Sequence, residues 1–350
     1  MNSPEQAAET PQPYSDPLAL TAALPDDIRP QHSSAPQSWM VRVADAKYHW
    51  YDLIAGFNDK PDIRDPIGRY MRRIQFELEA AAEKHHLFFA VTRPRVRFDI
   101  AGPVQWGFFS LKLTLPLLMG AEQTRESLTI ELTVPFSATL KKPAVTLTEN
   151  FITLNWGGYV ETLSIHDLLR TYAHQLKIPS KVVYVGQTRD ADARLSKGKL
   201  PALQKLRAQL SLDYDTLLLV QHMEFNVSCA DGDPAALPHN SHPLVAEALV
   251  AERMDVVEAA MIRYFEGGGA RLRKAEERQA RKERLTEVHE NNQLAQFTID
   301  FELPESGNYG CLSSEFVSSA SRHLLSCFIA DGEANVVPMP VPAPAKGGKN

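Results

Sequence analysis

Cysteine is scarce in this chain. Cys229, Cys311 and Cys327 are too few and too scattered for a disulfide framework or a zinc cluster, which leaves reduced thiols as the expectation. Long apolar runs are missing too. Nowhere do about 18 or more apolar residues follow one another, so no bilayer-crossing helix is expected. The opening residues, Met1-Asn-Ser-Pro-Glu-Gln6, lack the basic start and apolar core of a secretory leader. The reading is a cytoplasmic protein with no membrane partner. Nor is there an excess of positive charge: a net charge of −6 excludes a surface coated all over in base, though not a local basic face. What is present is ordinary. A hydrophobic content of 44% over 350 residues supports a sizeable core and, by length, two domains or one large one.

Residues 1–37 are rich in Pro, Ala, Ser, Gln and acid, which bury too little apolar area to offset chain entropy, so a disordered arm is expected. Order begins with a strand at Met40–Val43, followed by the aromatic group Tyr48, Trp50 and Tyr51. From 65 to 86 apolar residues recur at helical spacing (Tyr70, Met71, Ile74, Leu78) with Arg69, Arg72 and Arg73 opposite. From Leu87 to Val160 the period is two and prolines punctuate the runs. Residues 38–156 therefore read as a β-rich, mainly antiparallel domain. Helices are expected from Ser164, as N-cap, to Lys177 and from Pro243 to Phe265, with a strand from Thr216 to Phe225 between them. The loop holding Asp231, Asp233, His239 and His242 lacks the spacing of an EF-hand. The stretch from Arg271 to Glu290 is charged almost throughout and reads as a solvent-exposed helical arm, or one lying along nucleic acid. A strand at Leu294–Leu303, a helix at Ser313–Phe328 and a loose tail over 333–350 complete the expectation.

Most informative is Tyr184-Val-Gly-Gln-Thr188 with Arg194 six residues beyond. A short apolar run ends at Gly186, where a backbone without Cβ can turn or approach another group closely. A helix carrying Arg194 comes next, so a phenol and a guanidinium face one shallow site. This string resembles the second half of the motif of the GIY-YIG nuclease family. Gly157-Gly-Tyr159 is the nearest counterpart of the first half, with a helix inserted between the two halves; otherwise Tyr159 is unrelated. The helix segment Val257-Glu-Ala-Ala-Met-Ile-Arg-Tyr-Phe265 resembles the family's acidic helix, with Glu258 in the place of the metal-binding glutamate. The implied fold is α+β, with a GIY-YIG-like α/β domain over 157–332 carrying the inserted helix and the charged arm.

The resemblance implies a metal-dependent endonuclease acting on DNA. In that reading Glu258 holds Mg²⁺ or Mn²⁺, Arg194 clamps the phosphate and Tyr184 takes the proton from the attacking water, with Tyr159 counted among the catalytic residues as the family's other tyrosine. Gly186 keeps the backbone clear of the phosphate, while Arg189, Lys197, Lys199 and Lys205 supply a local basic surface for the nucleic-acid backbone. The chain departs from the family where Glu266-Gly-Gly-Gly-Ala270 stands in place of Pro-x-x-Asn, although Asn291 or Asn292 can substitute after an insertion. The displaced Tyr159 is a second departure. Both favour the alternative, a catalytically inactive nucleic-acid-binding module or a structural or assembly protein that retains the fold.

Overall fold

The structure is a computed structural model. It describes residues 35–341 except 57–60, 83–85, 109, 174–175, 177, 189–200, 210–212, 230–242, 269–272 and 305–308. In chain order the elements begin with β1 (Gln37–Trp50), α1 (Tyr51–Ala55), α2 (Pro66–Ala82), β2 (Leu87–Pro94), β3 (Val96–Phe98), β4 (Gln105–Trp106), β5 (Lys112–Met119) and β6 (Thr124–Glu131). Next come β7 (Ala144–Leu147), β8 (Phe151–Asn155), β9 (Val160–Ser164), α3 (Ile165–Tyr172), β10 (Ser180–Gln187), α4 (Pro201–Gln209) and β11 (Tyr214–Cys229). The last are α5 (Pro243–Glu266), α6 (Ala275–Asn292), β12 (Leu294–Glu302), β13 (Leu312–Ser313), β14 (Arg322–Ala330) and β15 (Glu333–Met339).

The fold is α+β, built on one mixed sheet of eight strands in the order β13-β10-β2-β11-β1-β12-β14-β15. β1 runs parallel to β12 and antiparallel to β11, and β2 lies antiparallel between β10 and β11. Strands from both ends of the chain thus alternate across the sheet, and the expected division into 38–156 and 157–332 does not hold. Two smaller sheets, β3-β5-β4 with β6 on β5 and β7-β8-β9, fall between β2 and β10 in sequence. Their Leu113, Leu115, Ile152 and Trp156 join the main core.

Strand alternation sorts the central residues onto two faces. Leu87, Phe89, Val91, Leu217 and Leu219 face α5 and α6, whose Val257, Met261, Phe265, Leu285 and Val288 close the larger core. Phe88, Ala90, Leu218 and Val220 face α1, α2 and α4 in a second core with Tyr70, Ile74, Leu78 and Leu206. α3 starts at a capping box, as Ser164 predicts: the Asp167 N–H donates to Ser164 Oγ at 3.2 Å and the Ser164 N–H donates to Asp167 Oδ2 at 2.9 Å.

Three C-terminal expectations are corrected. Ser313–Phe328 is not a helix. His323, Leu325, Cys327 and Ile329 are buried in alternation along β14, a period of two. The expected tail at 333–350 begins as β15, paired with β14 through a tight turn in which Asp331 and Gly332 take φ of 54° and 69°. The charged stretch is no free arm, because Leu285, Val288 and Asn292 of α6 are buried.

Candidate functional site

β10 carries the motif strand. Its register against β2 shifts between Val182 and Tyr184, which marks a bulge at that point. Val182 and Val185 enter the larger core, whereas Tyr184 packs against the second one. The Tyr184 ring lies 6.0 Å from that of Phe88 on the neighbouring strand. A Cβ on Gly186 would come within 2.7 Å of Phe88 and 2.9 Å of Tyr184. Glycine is needed there to let two aromatic rings meet over the strand.

Among the described residues β13 covers the outer edge of β10 only at Ser180 and Lys181. Farther along, at Val185, side chains take the place of a strand. The Val185 N–H donates to Glu266 Oε1 at 2.6 Å, and the Val185 carbonyl accepts from Arg273 Nη2. Arg273 also bonds both oxygens of Glu266, and its guanidinium lies 4.6 Å from the centre of the Tyr184 ring. Burial opposes the charge on Arg273, but Glu266 more than offsets this and holds the guanidinium above its usual value.

Gln187 points to the other face, toward α5. Its Nε2 donates to Asp255 Oδ1 at 2.7 Å and to Glu258 Oε2 at 2.9 Å. These acids lie three residues apart and so share a helix face. From α6, Arg281 Nη2 stands 4.0 Å from Glu258 Oε2 and Arg284 Nε 3.7 Å from Asp255 Oδ2. Asp255 is 4% exposed and Glu258 7%. The Tyr184 phenol is pushed above its ordinary value, first by burial and then by Glu258 and Glu266, against the pull of Arg273 and Arg281. At neutral pH it is a neutral phenol and not a ready base.

Of the residues expected in the site, Tyr184 and Gly186 lie on one face of β10, while Glu258 reaches Gln187 on the other and acts on the Tyr184 phenol through its charge. Arg194, Arg189, Lys197 and Lys199 lie outside the described residues. Lys205 is exposed on α4. Tyr159 is not brought in. It sits 41% exposed in the turn between β8 and β9, on a sheet separate from β10. The strand beside β10 is β2, which presents Phe88, a ring without a hydroxyl, next to Tyr184. No protein-family model, curated protein or solved structure matches the chain.

The expected Mg²⁺ or Mn²⁺ is tested by the donors present. A hard divalent cation held by Glu258 needs open carboxylate oxygens. Here the Gln187 amide nitrogen lies between Asp255 and Glu258, where a bridging cation would sit, and two guanidiniums balance the two acids. The residues do not fit a resident divalent metal in this arrangement. Sequence reading missed Asp255, Glu266, Arg273, Arg281 and Arg284. The i,i+3 spacing of Asp255 with Glu258, repeated by Arg281 with Arg284, was the available signal.

Among the described residues no helix is long and apolar enough to cross a membrane.

Proposed function

We propose that the chain is a nucleic-acid-binding module built on a GIY-YIG-like strand and helix, and that it holds DNA phosphates beside Tyr184 without metal-dependent cleavage. One observation carries the second half of that reading: both acids of the corner are already satisfied, by Gln187 and by Arg281 and Arg284. The first half is supported by the charge of the segment after β10. Between 189 and 207 the sequence carries Arg189, Arg194, Lys197, Lys199, Lys205 and Arg207 against Asp190 and Asp192, an excess of cations suited to a phosphate backbone. A buried group of charges is also costly where apolar packing would do, which favours a binding role over a purely structural one.

A second reading, the Mg²⁺- or Mn²⁺-dependent endonuclease, is favoured by the charge of Glu258 acting on the Tyr184 phenol. Fluorescence anisotropy with labelled duplex DNA over a salt series, beside a plasmid-nicking assay with either metal, separates the two. Binding that weakens with salt and no nicking is the expected result. Nicking abolished by Glu258→Ala establishes the endonuclease instead.

A further inference from the structure

A second polar site lies where β1 loses its neighbour. β12 pairs with β1 only over Gln37–Arg42, so the later half of β1 has no strand on that side among the described residues. A cavity of about 200 Å³ opens there, between Lys47–Trp50, α2, the start of α3 and Tyr309. A buried relay forms one wall. Asp215 Oδ2 lies 3.0 Å from His166 Nε2, and His166 Nδ1 lies 3.0 Å from the Tyr309 hydroxyl. Arg97 grips Asp215 through both oxygens at 2.8 and 2.7 Å, and Arg93 covers the Tyr309 ring at 3.5 Å.

One buried group on this cavity lacks a partner among the described residues: the indole N–H of Trp50, 3% exposed, has no acceptor. The ring of His49, 4% exposed, lines the cavity beside it. An unsatisfied buried polar group costs about 1–3 kcal/mol, so the indole N–H calls for a ligand atom. The surrounding charge selects its sign. Lys47, Arg73 and Arg170 line the cavity with the acids Glu77 and Asp167. Glu77 is shared by Lys47 at 2.8 Å and Arg73 at 3.9 Å, and Asp167 accepts from Tyr70 and Ser164. Burial, then Lys47 and Arg170, lower the His49 pKa to about 3, so at neutral pH its ring is uncharged in a positive field. A single water needs about 10–15 Å³ of free space and drug-sized ligands fill pockets of roughly 300–1,000 Å³. The space suits a group of several heavy atoms.

We infer that this cavity binds a small oxyanion, a phosphate or a short carboxylate, through Arg170, Arg73 and the ring N–H groups of His49 and Trp50. The site is separate from the Tyr184 corner and does not depend on its reading. Isothermal titration calorimetry of inorganic phosphate and of malonate into the full chain tests it, and the two arms tell the anion types apart. Saturable one-to-one binding of either anion is expected, weakened about tenfold or more by Arg170→Gln and by Trp50→Phe and unchanged by Lys112→Gln, at an exposed side chain away from both sites. Trp50→Phe keeps an aromatic ring and removes the donor. In the unaltered protein, imidazole ¹⁵N resonances of His49 should move with the same saturation curve. Failure of both anions to bind, binding indifferent to both variants, or a His49 signal that stays still at saturation overturns the inference.

Discussion

Glu266 and Arg273, seven residues apart across the glycine-rich turn, close on the N–H and C=O of a single residue, Val185. An unpaired strand edge is normally a liability, and here an ion pair fills the place of the missing strand. Both side chains are nearly fully buried, Arg273 at 3% exposure and Glu266 at 7%. Removing one partner of such a pair costs about 3–5 kcal/mol, because the other is left charged and unpaired. Glu266→Ala and Arg273→Ala should each lose about that much in urea unfolding, and the double variant should lose much less than their sum. Losses below about 1 kcal/mol would contradict a structural clamp.

Gly186→Ala should destabilise by about 1–3 kcal/mol through overpacking, since its new methyl meets Phe88 and Tyr184. Phe88→Leu in the same chain should recover part of that loss. Thermal unfolding of Gly186→Ala, Phe88→Leu and the double variant checks it, and an equal loss from Gly186→Ala with and without Phe88→Leu would refute the contact.

Asp215 should impose an acid limit on stability. Burial opposes its charge, but bonds from His166 and Arg97 bring its pKa down to about 2, from 3.8. The unfolded chain therefore binds the extra proton, and the contribution is present above about pH 4 and lost as pH falls through 2. About two units amount to roughly 2–3 kcal/mol. Urea unfolding between pH 5 and 2 should show that slope, with most of it missing in Asp215→Asn.

Glu252 should act in the opposite sense. Burial, with Glu287 adding to it, raises its pKa to about 7 from 4.5. Here the folded chain holds the extra proton, so stability declines as pH rises from about 4.5 to 7. The size is roughly 3 kcal/mol. Glu252→Gln should be more stable than the parent at pH 8 and close to it at pH 4; equal stability at pH 8 would show that Glu252 is not held neutral.

Local periodicity was enough to locate α2, α3 and α5, because each buries one stripe and Ser164 announces its own helix. It misled at Ser313–Phe328, where a helix is expected but His323, Leu325, Cys327 and Ile329 alternate along a strand. Apolar residues in α6 are so sparse that an exposed arm was the natural expectation. Its burial comes from Leu285 and Val288 and from arginines that find acids on α5. In the candidate site, Tyr184 and Glu258 were legible as local motifs, whereas Phe88 and Arg273 were not. Which strand lies beside β10 is decided by long-range pairing: β2 is its neighbour although residues 95–179 separate the two in sequence.

The most direct test of the Tyr184 corner is supercoiled plasmid mixed with the full chain at low salt, with Mg²⁺, with Mn²⁺ or with neither, and run on a gel before and after protease. The predicted result is plasmid retarded in every lane, released by protease and still supercoiled. Plasmid that is never retarded, or nicked circles that form only with metal and vanish in Glu258→Ala, would contradict it.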